Sequence, residues 1–324
     1  MPAEPRDDPG ATLTDSNAAA IEVVGLTKIY GATKALDGVD LAVPVGSVFG
    51  FLGPNGAGKT TTLRVLTGLA RPTAGTARIF GSDVVRAGND ARAAVGYLPD
   101  VPGFYEWMNA EEFLRFAGGL FGLSGRQLAA RVEALLDLAG LAGVTTRIGG
   151  YSRGMKQRLG IAQALVNAPR LLMLDEPTSA LDPIGRKEVL DMIATLGGRA
   201  TVFFSTHILA DVERVCDTVA ILDRGRVVAQ APIDELTQRY AAQRLIVEVE
   251  GDAAELASEV KMRPWSTGVD VSAGTMRISV NDVEAARREI PMLIGSSGLG
   301  LVRFEGGEVD LEEVFVDLVQ GARR

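Results

Sequence analysis

An α/β fold with a mostly parallel sheet, carrying a helical insertion and followed by a small α+β domain, is what this 324-residue sequence predicts. Three observations carry that expectation. Short apolar runs alternate with helical patterns from Val48 to Asp223, and such alternation gives a parallel sheet covered on both faces. The stretch from about Val101 to Asn167 turns helical. Beyond Asp234–Tyr240 the order becomes strand-helix-strand-strand-helix-strand, which suggests a ferredoxin-like domain.

The elements follow in order. Residues 1–20 are polar and proline-rich, without the basic region and apolar core of a signal peptide, and read as a disordered tail. "IEVVGLTKIY" and "LDGVDLAVPVGSVFGFLG" read as short β-runs broken by glycines and Pro44. From Val48 to about Phe80 the reading is strand, glycine loop, helix, turn, strand. Asn109 with Glu112 predicts an N-cap and capping box ahead of "FLRFAGGLF". "LAARVEALLDLAGL" has helical spacing. Strand signals return at "RLLMLDE", "ATVFFST" and "DTVAILD". The expected domains are 21–236, with a helical subdomain at about 101–167, and 242–324, which ends in the apolar-acidic helix "DLEEVFVDLV".

Composition narrows the function. The formal charge of −8 argues against nucleic acid as a partner, because phosphate binding needs clustered positive charge. No apolar run reaches the length of a spanning helix. The single cysteine, Cys216, reads as a small core hydrophobe on the apolar face of a helix, and the protein is expected in the cytosol.

The chemistry begins at "GFLGPNGAGKTTTL", which fits G-x-x-x-x-G-K-[ST] between a strand and a helix. Its glycines let backbone N–H groups converge on phosphate oxygens, and the helix N-terminus adds partial positive charge. Lys59 is placed to reach the β- and γ-phosphates, and Thr60 to ligate Mg²⁺. At "LLMLDEPTSALDP" four apolar residues end in Asp175 and Glu176, which puts both acids at the carboxyl edge of the sheet. Alone, that pair is an ordinary acidic strand end. Beside a phosphate loop, Asp175 becomes a Mg²⁺ ligand, and Glu176 the group that orients or deprotonates the attacking water.

With "YSRGMKQRLGIAQAL" upstream of the acidic strand, the chain resembles the nucleotide-binding subunit of an ATP-binding cassette (ABC) transporter. Ser152 and Gly154 match the serine and second glycine of the LSGGQ signature, while Tyr151, Arg153 and Met155 replace its leucine, first glycine and glutamine. Those departures resemble the bacterial drug-resistance-type (ABC-2 type) exporter ATPases. Ser152 can cap the following helix, whose Met155, Leu159 and Ala162 form an apolar face.

The resemblance implies a P-loop NTPase core of the ABC ATPase type and a nucleotide site. Gly53, Pro54, Asn55, Gly56, Ala57, Gly58, Lys59, Thr60 and Thr61 would cradle ATP, and Tyr30 would stack on adenine. Ser152 and Gly154 would face the γ-phosphate bound by a second copy, and Asp182 would contact that copy. His207, the only histidine, matches the residue that contacts the γ-phosphate after the next strand. Asp100 stands where the family carries glutamine, as a ligand of Mg²⁺ or water that is shorter and negatively charged. Ala180 stands where glycine is common. The resemblance further implies ATP and Mg²⁺ as cofactors, an ATP-sandwiched homodimer, a separate multi-spanning permease, and a place at the inner face of the membrane. Two alternatives are a soluble ABC ATPase of translation or DNA repair, and an ATP-holding switch without turnover.

Overall fold

The computed structural model describes residues 19–87, 89–241, 244–272, 274–306 and 311–321. The expected tail lies outside them, save for Ala19 and Ala20. In chain order the first half contains β1 (Ala19–Tyr30), β2 (Thr33–Pro44), β3 (Val48–Leu52), α1 (Lys59–Leu66), β4 (Ala74–Ile79), β5 (Ser82–Asp83), α2 (Asn89–Ala93) and β6 (Val95–Leu98). Next come α3 (Ala110–Leu120), α4 (Gly125–Leu138), α5 (Arg153–Ala164), β7 (Leu171–Asp175), α6 (Pro183–Leu196), β8 (Thr201–Thr206), α7 (Leu209–Val215), β9 (Thr218–Asp223) and β10 (Arg226–Pro232). The chain continues through α8 (Ile233–Ala241), β11 (Arg244–Glu250), α9 (Ala254–Lys261), β12 (Ser266–Ser272), β13 (Thr275–Val280), α10 (Val283–Ser297), β14 (Gly300–Gly306) and α11 (Leu311–Gly321).

These strands form three sheets, ordered β2-β1-β4-β5, β10-β9-β3-β8-β7-β6 and β12-β13-β11-β14. In the six-stranded sheet β6 pairs parallel with β7, and β3 with β9, while β10 closes one edge antiparallel. Every residue of β3, β7 and β8 is buried, as expected of central strands that carry unbroken apolar runs. Among the described residues, the sequence reading missed β5, α2, β6, α8 and β10. β6 and α8 are short, and β10 is a half-exposed edge strand with no sharp apolar alternation.

By contacts the chain divides into two compact units: the described residues of Met1–Val48 with Thr60–Phe204, and of Phe49–Lys59 with Ser205–Arg324. In the first unit, β1 and β2 run through their glycines instead of stopping at them. Register shifts fall around Gly25, and both Gly25 and Gly38 have positive φ, so the glycines form bulges within continuous strands. β1 starts at Ala19, two residues before the expected boundary, with Ala20 fully buried.

The expected capping box is present on α3. Asn109 Oδ1 accepts from the Glu112 N–H at 2.9 Å, and Glu112 Oε2 accepts from the Asn109 N–H at 3.0 Å. α4 buries Leu128, Val132 and Leu135, one residue per turn.

In the second unit the C-terminal sheet is antiparallel throughout. α9 and α10 bury Leu256, Val260, Ile290 and Ile294 with Leu245, Val247, Met276 and Ile278 of the strands. The terminal helix α11 buries Leu311 and Val314. Its first turn is capped from a distance: the Leu311 N–H donates to Glu213 Oε1 of α7 at 2.8 Å. Asp310, the first residue of the expected terminal helix, lies outside the described residues.

Candidate active site

Each expected catalytic group follows the carboxyl end of a strand: the glycine loop after β3, Asp175 and Glu176 at the end of β7, and His207 after β8. In the second unit, the Gly53 N–H donates to the Thr206 carbonyl at 3.2 Å, and the Gly225 N–H to the Ala57 carbonyl at 2.7 Å. A side chain at Gly53 would put its Cβ 2.4 Å from the Leu222 carbonyl oxygen, so only glycine fits. Gly58 has φ of +115°, a conformation L side chains rarely adopt. Lys59 is buried, and its Nζ donates to the Gly53 and Pro54 carbonyls at 2.7 and 3.3 Å, which fixes a positive charge within the loop. Pro54 and Gly58 are half-buried, Asn55 and Gly56 exposed, and Ala57 buried.

His207 is exposed. The Ile208 N–H donates to Thr206 Oγ1 at 3.0 Å, a turn that carries the chain from β8 into α7. Cys216 falls one residue past α7, at its C-cap. It is half-buried, and its Sγ would lie 3.0 Å from a Cβ at Gly50, which explains the glycine in β3. Burial, then the charges of Asp217 and Asp211, push its thiol well above the usual range.

In the first unit the Thr60 hydroxyl donates to Asp175 Oδ1 at 3.3 Å, and Asp175 is 1 % exposed. The structure thus brings together the two groups expected to ligate Mg²⁺. Both offer hard oxygen donors, the kind Mg²⁺ takes. Among the described residues, no three His, Cys, Asp or Glu side chains converge as a metal site by themselves. Thr61 is half-buried and Asp100 exposed, two residues beyond β6.

Glu176 is half-buried with φ of +50°, and Ala180 is exposed with φ of +53°. A non-glycine residue in the left-handed region costs of order 1–3 kcal/mol and is held there by its surroundings.

Ser152 caps α5 as expected, its Oγ accepting from the Met155 N–H at 3.2 Å. Leu159 and Ala162 are fully buried and Met155 is half-buried. Gly154 is buried, and a Cβ there would lie 3.4 Å from the Gly185 Cα of α6, the helix that Asp182 precedes. Arg158 and Glu188 join the same two helices at 2.8 Å. The segments of Ser152 and Asp182 are therefore packed backbone to backbone, a link that sequence reasoning missed because a lone glycine inside a helix carries no motif.

Tyr30 is 45 % exposed at the end of β1, with the Lys28 Nζ 4.6 Å from its ring centroid. Tyr97 was also missed. It is half-buried, and its hydroxyl is pushed up to about 12 by burial and by the charge of Asp175, with Arg64 opposing and Asp100 adding. Its only sequence signal was its place three residues before Asp100.

A model of the ABC transporter family matches residues 36–179. The ATP-binding protein YxlF of Bacillus subtilis (strain 168) is 40 % identical over 92 % of this chain and 99 % of its own length. This chain belongs to the ATP-binding subunits of ABC transporters. Another relative, the daunorubicin resistance ATP-binding protein DrrA3 of Streptomyces coeruleorubidus, is 39 % identical over 94 % of this chain and 97 % of its own length. The solved structure of an ATP-binding subunit of an ABC transporter superposes with a TM-score of 0.61 at 34 % identity, over 68 % of this chain and 93 % of that one. The core is therefore an ABC ATPase fold with mixed α/β sheets, and as a member of this family the chain is an ATPase coupled to transport.

Proposed function

We propose that this ABC ATPase drives an exporter as a homodimer, with two ATP molecules sandwiched between the glycine loop of one copy and Ser152 and Gly154 of the other. The observation that carries the site assignment is the Thr60–Asp175 pair, held at 3.3 Å beside the sequence position of Lys59. Lys59 and backbone N–H groups of the loop beyond Pro54, within residues 55–61, bind the β- and γ-phosphates. When bound, Mg²⁺ neutralises charge on the phosphate oxygens, and Thr60 and Asp175 are the residues that would hold it, with Asp100 reaching it or its water. Glu176 orients the attacking water and accepts its proton, and His207 meets the γ-phosphate. Tyr30 stacks on adenine, and Asp182 touches the other copy.

ATP closes the pair because its γ-phosphate touches both copies, and hydrolysis removes that bridge. Ser152 supports the sandwich as a helix N-cap, where an anion meets the positive end of α5. Export is supported by the relative named for daunorubicin resistance. Passage would be through a separate permease, and no helix among the described residues is long and apolar enough to cross a membrane. The chain then sits peripherally on the inner face of the membrane.

The domain division follows this reading: an ATP-binding domain over 21–236 with a helical subdomain at about 101–167, and an accessory domain over 242–324. The ferredoxin-like assignment of that last domain is supported by its strand-helix-strand-strand-helix-strand order and by the antiparallel order β12-β13-β11-β14.

The test is co-purification. Tagged Glu176→Gln chain, extracted gently from its host's membranes with Mg²⁺-ATP, should bring down a multi-spanning membrane protein. Recovery of ribosomes, DNA-bound proteins or nothing would contradict the transporter assembly.

A further inference from the structure

The end of β1 carries a cation that the nucleotide reading does not use. The Lys28 ammonium lies 4.6 Å from the centroid of the Tyr30 ring. Residues at i and i+2 of a strand share a face, so both side chains leave the backbone on one side. The same Nζ donates to the Arg71 carbonyl at 2.7 Å, which fixes where the ammonium sits. The strand end is clipped to the same connection: the Thr73 N–H donates to the Thr27 carbonyl at 2.8 Å, and the Ile29 N–H to Thr73 Oγ1 at 3.0 Å. That connection lies between α1 and β4, so it is tied through α1 to the end of the glycine loop.

A tyrosine 45 % exposed at a strand end has little packing to choose its ring plane. A cation over an aromatic face is attracted by the ring quadrupole and occupies that face. Because Lys28 is anchored at Arg71, it holds the ring in one orientation and leaves the opposite face for a base. We infer that Lys28 is a positioning residue for nucleotide binding, fixing Tyr30 in the plane that stacks on adenine and setting affinity for the base without contact with the phosphates. This rests on Tyr30 being the adenine platform.

The experiment is a double-mutant cycle on the full chain with Glu176→Gln to stop turnover. Calorimetry measures the affinity for Mg²⁺-ATP and for tripolyphosphate, which has the phosphates and no base. Lys28→Met should weaken ATP binding about two- to fivefold, the worth of an exposed cation–π contact, and leave tripolyphosphate binding unchanged. Lys28→Arg should keep the affinity. With Glu176 intact, KM should rise by the same factor at constant kcat. In a Tyr30→Leu background, Lys28→Met should add nothing. An equal loss in both backgrounds, a loss of tripolyphosphate binding, or no loss at all overturns the role of Lys28 and leaves the platform standing. If Tyr30→Leu itself binds ATP like its parent, the platform reading fails and the proposal falls with it.

Discussion

Ala180 is where a family preference meets a torsion angle. The sequence places alanine where such proteins commonly carry glycine, and the backbone there has φ of +53° on an exposed turn. Ala180→Gly should therefore raise stability by roughly 0.5 kcal/mol, relief of the left-handed strain outweighing the added freedom of the unfolded chain. A thermal melt checks this, and a lower Tm would contradict it. Tyr97 gives a second prediction. Its unfolded hydroxyl loses a proton near 10, while the folded one keeps it to about 12. Between those values the folded state binds more protons than the unfolded state, so stability falls as pH rises from 10 to 12. Urea midpoints of Tyr97→Phe should fall less steeply over that window than those of the wild type.

Elements were legible where one local rule decided them. Asn109 and Glu112 announced α3 because a capping box needs only residues three apart. Asn109→Ala should lower stability by about 1 kcal/mol, read from denaturant midpoints. β10 and α8 escaped because no local signal marks a half-exposed edge strand that leads straight into a short helix. Contacts between elements were not legible either. Gly96 of β6 faces the backbone of the residue that ends α5: a Cβ there would lie 2.0 Å from the Ala164 carbonyl oxygen. Gly96→Ala should cost ~3 kcal/mol, since backbone cannot step aside. Gly160→Ala, which meets the flexible Leu98 Cδ1 at 2.5 Å, should cost less.

At the scale of the whole molecule, the chemistry could be read because phosphate transfer uses fixed short spacings. Lys59, Thr60, Asp175 and Glu176 were proposed that way, and the pairing of Thr60 with Asp175 is the contact among them that the fold contains. Lys28, Tyr97, Gly185 and Arg158 were not singled out, since their contacts with other side chains or segments carry no motif in the sequence. Lys28 was the most accessible of them, two residues from Tyr30 on one strand face. Asp100 was legible as a position and is exposed in the fold.

The claim on which the rest depends is that Glu176 activates water for ATP hydrolysis. Steady-state phosphate release from purified chain, alongside ATP binding, tests it directly. Glu176→Gln should cut the rate about 10²–10⁴-fold, the usual worth of a general base, while ATP affinity stays within a few-fold of wild type. Phosphate release at the wild-type rate from Glu176→Gln would contradict the assignment.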